Sequence, residues 1–360
     1  MTTTPPQNQH RVGCILPNRI GDCLFSLPAV ATLSLLFPHR VELLVSPVLM
    51  PLLETLPFPW ILTPLTWRTK LKSWLQPYDY LVHLITSNLS IGVRSRLHAG
   101  FPISQKWWIR FDEPLLFLDV HQCKSALSPA FQQALLTEAN MSYSVIRHMG
   151  IGPMCFEQPE SFWIQTYLQQ VKPYLFIQPP VALGNALPQG LQAYVNGSQK
   201  SIALCMEAAY GSKRNENRRW SPANWQQFLS GFLANTDLAD YHLLILGSGD
   251  ESLPIQEARI VDARNQVSLL QVALLLQHAS LYVGNDSGLL HLATFTQTPS
   301  VGLYHVTDAL HYGPVHQVNF KAFEPPYTVE DVLNYCQEKL QGSLTPDVIE
   351  VLPIVRGFKP

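Results

Sequence analysis

Short apolar runs, each followed by a polar turn and then by apolar residues at helical spacing, recur through both halves of this chain. Residues 12–16 read as a buried strand and 17–22 as a turn. A helix then runs to about residue 37, with Leu24, Leu27, Ala31 and Leu35 on one face, and residues 41–45 form the next strand. Strand, helix, strand in this order predicts a βαβ unit and a parallel sheet. Pro28 leaves two possibilities. Either Ser26 caps a helix beginning at Leu27, or the helix is kinked there. Residues 80–85 and 115–120 read as further strands, 131–149 as mainly helical and 162–171 as a helix.

Prolines and glycines punctuate residues 151–200, so the connection between two domains is expected there. The second half restarts with a strand at 201–206 and a polar loop. A helix follows, with Ser221 at its N-cap and Pro222 at its first position. Strands at 241–246, 281–283 and 299–304 and helices at 268–278, 289–295 and 329–340 complete the pattern. Domains are thus expected at 1–175 and 176–325, with a C-terminal helix and tail at 326–360.

Composition narrows this picture. Hydrophobic residues make up 47% of the 360 and charged residues only 14%, so large cores are available. A net charge of -2 provides no global attraction to nucleic acid, and local basic clusters must carry any anion binding. Polar residues 1–10 lack the charged start and apolar run of a signal peptide. Asn18, Arg19 and Asp22 interrupt the apolar stretch that follows, so no spanning helix is expected and the chain reads as cytoplasmic. Six cysteines without a CxxC pair and twelve histidines without HExxH spacing give no support for a metal site.

Candidate chemistry gathers where strands end. Around residue 281, Gly284 and Asn285 break the strand. Asp286 or Ser287 caps the next helix, and this is either an ordinary capped helix or an anion site made by the amides of Ser287, Gly288 and Leu289 and flanked by Asp286 and His291. Lys213, Arg214, Arg218 and Arg219 crowd the loop after the 201–206 strand and suit a diphosphate or a solvated loop. Glu251, in the Gly-rich turn 247–251, suits a ribose or the first turn of a helix. In the first half, Asp22 reads as a general base or as a capping carboxylate. Arg94, Arg96 and Lys106, interleaved with Trp107 and Trp108, suit an anionic or sugar acceptor or a solvated face.

Four of these segments, in order, resemble glycosyltransferase family 9, the heptosyltransferases. NRIGDCLFSLPA at 18–29 resembles the RxGDxxxxxPA opening, and RRWSPANW at 218–225 resembles KRWPxxxW. LGSGDE at 246–251 resembles LGGxxE. GNDSGLLHLA at 284–293, with TPSVGL at 298–303, resembles GxDTGxxHLAAALGTPxVALF. The resemblance implies an α/β GT-B fold: two Rossmann-like domains facing a central cleft, acceptor on the first, nucleotide sugar on the second, with the last helix packing back on the first.

It also implies an inverting, metal-independent transfer of heptose from ADP-heptose, without a cofactor, to a lipopolysaccharide-core or related glycan at the inner face of the inner membrane. Asp22 would be the base, with Gly21 beside it, and Arg218, helped by Lys213 and Arg219, would meet the diphosphate. Glu251 would contact the nucleoside and Asp286 the sugar. Two departures stand out: Arg218 replaces the usual Lys, and YHVTDA at 304–309 replaces FGPTDP. Alternatives are a nucleotide-sugar-binding protein without transfer, a protein heptosyltransferase, and an NAD oxidoreductase, which lacks the GxGxxG after the first strand.

Overall fold

The computed structural model describes residues 11–66, 78, 80–84, 116–156, 158–208, 217–249 and 252–342. The chain divides into two compact units, Met1–Leu175 and Phe176–Pro360.

In the first unit, β1 (Val12–Ile15), β2 (Val41–Val45), β3 (Ile61–Pro64), β4 (Tyr80–His83) and β5 (Leu116–Asp119) form a parallel sheet of order β3-β2-β1-β4-β5. β3 escapes sequence reading because it is a half-exposed edge strand ending in proline. Helix α1 (Ile20–Leu36) crosses between β1 and β2. It begins well before Ser26 and runs through Pro28, so Ser26 is not its cap. The Ser26 hydroxyl instead donates to the Asp22 carbonyl at 3.0 Å, and Thr32 donates to the Pro28 carbonyl at 2.8 Å. Every residue of α1 from Cys23 to Ser34 is buried, a wider face than the single apolar stripe predicts.

The helical stretch predicted at 131–149 is two helices, α2 (Pro129–Thr137) and α3 (Tyr143–Met149). Asn140 takes a left-handed φ of 53° between them, a conformation asparagine tolerates. Ser128 caps α2, and the Glu160 carboxylate at the start of α4 (Glu160–Thr166) accepts from the Ser128 amide and hydroxyl.

The second unit holds β6 (Lys200–Cys205), β7 (Tyr241–Ile245), β8 (Ile260–Asp262), β9 (Leu281–Asn285), β10 (Ser300–Leu303) and β11 (Phe320–Phe323), all parallel, in the order β11-β10-β9-β6-β7-β8. The chain leaves β6 toward β8 and then returns to β9 on the other side of β6. The β6/β9 boundary is therefore a topological switch point, where loops diverge and leave room for a ligand. Helix α5 (Pro222–Ala234) follows the basic loop, with Ser221 accepting from the Asn224 amide at 3.1 Å and proline at the first position, as its sequence predicts. Trp220, Trp225, Phe228 and Phe232 carry it onto Ile202, Leu204, Val283 and Leu303 of the sheet.

Helices α6 (Leu269–His278), α7 (Gly288–Phe295) and α8 (Val329–Leu340) complete this unit. α8 buries Val329, Val332 and Cys336 in the core of the second unit and packs on α5, where Asn235 donates to Gln337 at 2.8 Å. Residues 343–360 lie outside the described residues.

Candidate functional site

The switch point is built by β9 and the turn after it. Gly284 and Asn285 do not break the strand. Both lie within β9, Gly284 opposite Cys205 and Gly302 and Asn285 opposite Leu303. A Cβ at position 284 would sit 3.0 Å from the Cys205 carbonyl oxygen and run into the Tyr282 hydroxyl, so only glycine fits. Asn285 is fully buried and ties the loop after β6 to the strand. Its Oδ1 accepts from the Trp220 amide at 2.8 Å and its Nδ2 donates to the Met206 carbonyl at 2.8 Å.

Ser287 occupies the N-cap of α7, but its side chain makes no cap bond; its hydroxyl faces the Cys205 sulfur at 3.9 Å. The expected side-chain cap is therefore absent. Only Asp286 and Ser287 link the strand to the helix, and the Ser287 hydroxyl lies on the Cys205 side. At the start of α7 the amides of Gly288 and Leu289 have no carbonyl one turn back, which leaves the helix N-terminus open to an anion. The Leu289 side chain is buried, so only its backbone can serve a ligand.

Asp286, 2% exposed, is the centre of the cluster. One carboxylate oxygen, Oδ2, accepts from Arg218 Nη2 and from the Thr307 hydroxyl, the latter at 2.7 Å. The other, Oδ1, lies 3.7 Å from His291 Nε2. Burial alone would raise the Asp286 carboxyl. The His291 imidazole, the Arg218 charge and the Thr307 hydroxyl outweigh it and hold the group below its ordinary range, hence ionised at neutral pH. Arg218 Nε is buried and meets no hydrogen-bond acceptor among the described residues, while the side chain as a whole is 24% exposed. The guanidinium is thus engaged by Asp286 through one nitrogen and still open to solvent.

A second cluster lies across β6. The Glu207 carboxylate accepts from the Gly249 amide at 2.6 Å and the Ser248 amide at 3.3 Å, and Arg264 lies 4.0 Å from it. Arg264 also forks onto Asp262 at 2.9 and 2.8 Å. The Gly-rich turn is therefore filled by the chain's own carboxylate. A Cβ on Gly249 would collide with that carboxylate, which accounts for glycine there.

Of the residues singled out by sequence, Arg218, Asp286, Ser287, Gly288, Leu289 and His291 come together here. Arg219 turns back on its own loop, donating to the Ala208 carbonyl at 3.4 Å. Gly21 and Asp22 belong to the first turn of α1 in the first unit, where a carboxylate is favoured by the helix dipole. Lys213, Glu251, Arg94, Arg96 and Lys106 lie outside the described residues. Among the described residues, no three His, Cys, Asp or Glu side chains gather as a metal site, and no helix is long and apolar enough to cross a membrane. Sequence reasoning missed Thr307, Asn285 and Glu207. The available signal was position, because each sits at or just past the carboxyl end of a strand beside the switch point.

The family model described as glycosyltransferase family 9 (heptosyltransferase) matches residues 167–323, the segment that carries this cluster. No curated protein matches the chain. Among solved structures, ADP-heptose LPS heptosyltransferase II of E. coli is similar at 17% identity, covering 92% of this chain and 99% of that one, with a TM-score of 0.61. A glycosyl transferase family 9 protein of Veillonella parvula is similar at 13% identity, covering 93% and 98%, with a TM-score of 0.62. The iron-containing dodecameric glycosyltransferase TibC of enterotoxigenic E. coli is similar at 13% identity, covering 91% and 68%, with a TM-score of 0.52. At such identities the likeness is one of fold, and that fold is GT-B.

Proposed function

We propose that this chain, a glycosyltransferase of GT-B fold similar to family 9, transfers heptose from ADP-heptose to a hydroxyl of a lipopolysaccharide-core or related glycan, with inversion. The observation that supports this most is the Arg218–Asp286–His291 cluster at the open N-terminus of α7, on the switch point of the unit that the family model matches. In this reading the Asp22 carboxylate takes the proton of the acceptor hydroxyl. The oxygen then attacks the anomeric carbon from the face opposite the diphosphate, and the bond from that carbon to the phosphate oxygen breaks with its electron pair leaving on the diphosphate. One displacement inverts the anomeric centre. The new negative charge is met by Arg218 and by the amides of Gly288 and Leu289. Acceptor contacts fall to Arg94, Arg96 and Lys106, and nucleoside contacts to Glu251. A glycan at the inner membrane face would bring the protein there peripherally.

An Asp22→Ala variant is expected to bind ADP as the parent does and to lose transfer. Undiminished transfer by that variant overturns the assignment of the base. A second reading, nucleotide-sugar binding without transfer, draws on Arg218 being already engaged by Asp286. Turnover of any sugar nucleotide eliminates it, and parallel assays with glycan and protein acceptors separate lipid from protein heptosylation.

A further inference from the structure

We propose that Thr307 is a positioning residue of the diphosphate site, acting through Asp286 to set the direction in which Arg218 presents its guanidinium. This rests on the reading of that cluster as the sugar-nucleotide site. Thr307 and Arg218 share one oxygen of the Asp286 carboxylate, Oδ2, while His291 faces the other. His291 meets Oδ1 only at 3.7 Å, so without Thr307 the arginine would be the one close donor on the carboxylate, which could turn about its last side-chain bond and carry the arginine with it. The Thr307 hydroxyl, a second close donor at 2.7 Å, limits that turning. It does so from the loop after β10, whose Asp308 accepts from the His311 amide at 2.8 Å and whose Ala309 amide donates to Glu324 at 2.6 Å, so the loop is itself anchored.

Fixing the carboxylate matters because Arg218 has one nitrogen bound and its Nε buried without an acceptor. Only a set orientation leaves the remaining N–H groups aimed at a ligand. Arginine gains from this more than lysine would, because its N–H groups lie in a rigid plane whose rotation moves all of them together. Thr307 touches neither phosphate nor sugar in this account; its effect passes entirely through Asp286.

The test uses the full chain and ADP as probe. Calorimetry of Thr307→Val, which keeps shape and removes the hydroxyl, is expected to show ADP binding weakened roughly tenfold, the scale of one hydrogen bond to a charged group. The KM for ADP-heptose should rise in parallel while the acceptor KM stays unchanged. Thr307→Ser should restore both to within about twofold. In an Asp286→Ala background, which leaves position 286 no acceptor for the Thr307 hydroxyl, the Thr307→Val effect should vanish, which a purely structural role would not produce. Where valine perturbs the melting temperature, Thr307→Ala serves the same comparison.

Parental ADP affinity in Thr307→Val, together with weakened binding in Arg218→Ala, overturns the role of Thr307 alone. An undiminished Thr307→Val effect in the Asp286→Ala background also overturns it. Parental ADP affinity in Arg218→Ala instead overturns the placing of the diphosphate at this cluster.

Discussion

At the scale of single residues, Asp286 sets the terms. Its carboxylate is nearly inaccessible, yet it is ionised because Arg218, His291 and Thr307 surround it. These contacts make it a fixed counter-charge for Arg218 through Oδ2. The sign of the pH effect follows. The folded-state pKa lies below the unfolded value of about 3.9, so the group's stabilisation is fully present above that value and is lost as pH falls through the folded-state pKa. Asp286→Asn should therefore cost about 2–3 kcal/mol at pH 7, toward the lower end for a buried ion pair because Arg218 is partly exposed. The gap between variant and parent should start to narrow below about pH 4 and close only once pH has fallen through the folded-state pKa. Denaturant unfolding across pH checks this, and a gap that persists at low pH would rule out the carboxylate charge as its source.

At the scale of elements, the site depends on one side chain holding two segments together. Asn285 joins β9 to the loop that delivers Arg218, through the Trp220 amide and the Met206 carbonyl. Asn285→Leu fills similar space but orphans both backbone groups, at about 1–3 kcal/mol each. It should also weaken ADP binding, because Arg218 is two residues from Trp220. Ser221→Ala is the contrast: loss of a helix cap should cost about 1 kcal/mol and leave ADP affinity untouched. Thermal melts and calorimetry on the pair separate anchoring of the loop from general stability. Ser221 and Pro222 were legible because capping is local chemistry. Asn285 was not, because glycine and asparagine in sequence signal a turn, and only pairing with β10 shows that they continue a strand. β8 and β11 were missed for a related reason: they are short edge strands with half-exposed side chains and no buried run to announce them. The Arg218–Asp286 pair was legible as two separate signals, each at a strand's end. Their meeting, with Thr307 on the same carboxylate oxygen, depends on the strand order, which no local pattern encodes.

At the scale of the whole molecule, the net charge of -2 means that nothing draws an anionic nucleotide to the surface at large. Binding must be earned at one place, and the second unit provides a partly exposed guanidinium beside an open helix N-terminus. The Ser248 and Gly249 amides of the turn after β7 do not compete, because Glu207 already holds them. A site of that form discriminates by phosphate count before it discriminates by base. ADP should bind at least about tenfold more tightly than AMP, since the second phosphate adds a charge-assisted contact to Arg218. At a hundredfold excess over its Kd, ADP should stabilise the chain by about 2.7 kcal/mol. Salt should weaken binding only modestly, because Arg218 is partly shielded from solvent and screening acts mainly on exposed charges. A calorimetric panel of ADP, AMP, UDP, GDP and CMP at two salt concentrations measures all three. Preference for ADP over UDP and GDP supports the adenine-linked sugar. Equal binding of ADP and AMP means that the diphosphate does not reach Arg218, and the cluster at β9 then serves another anion.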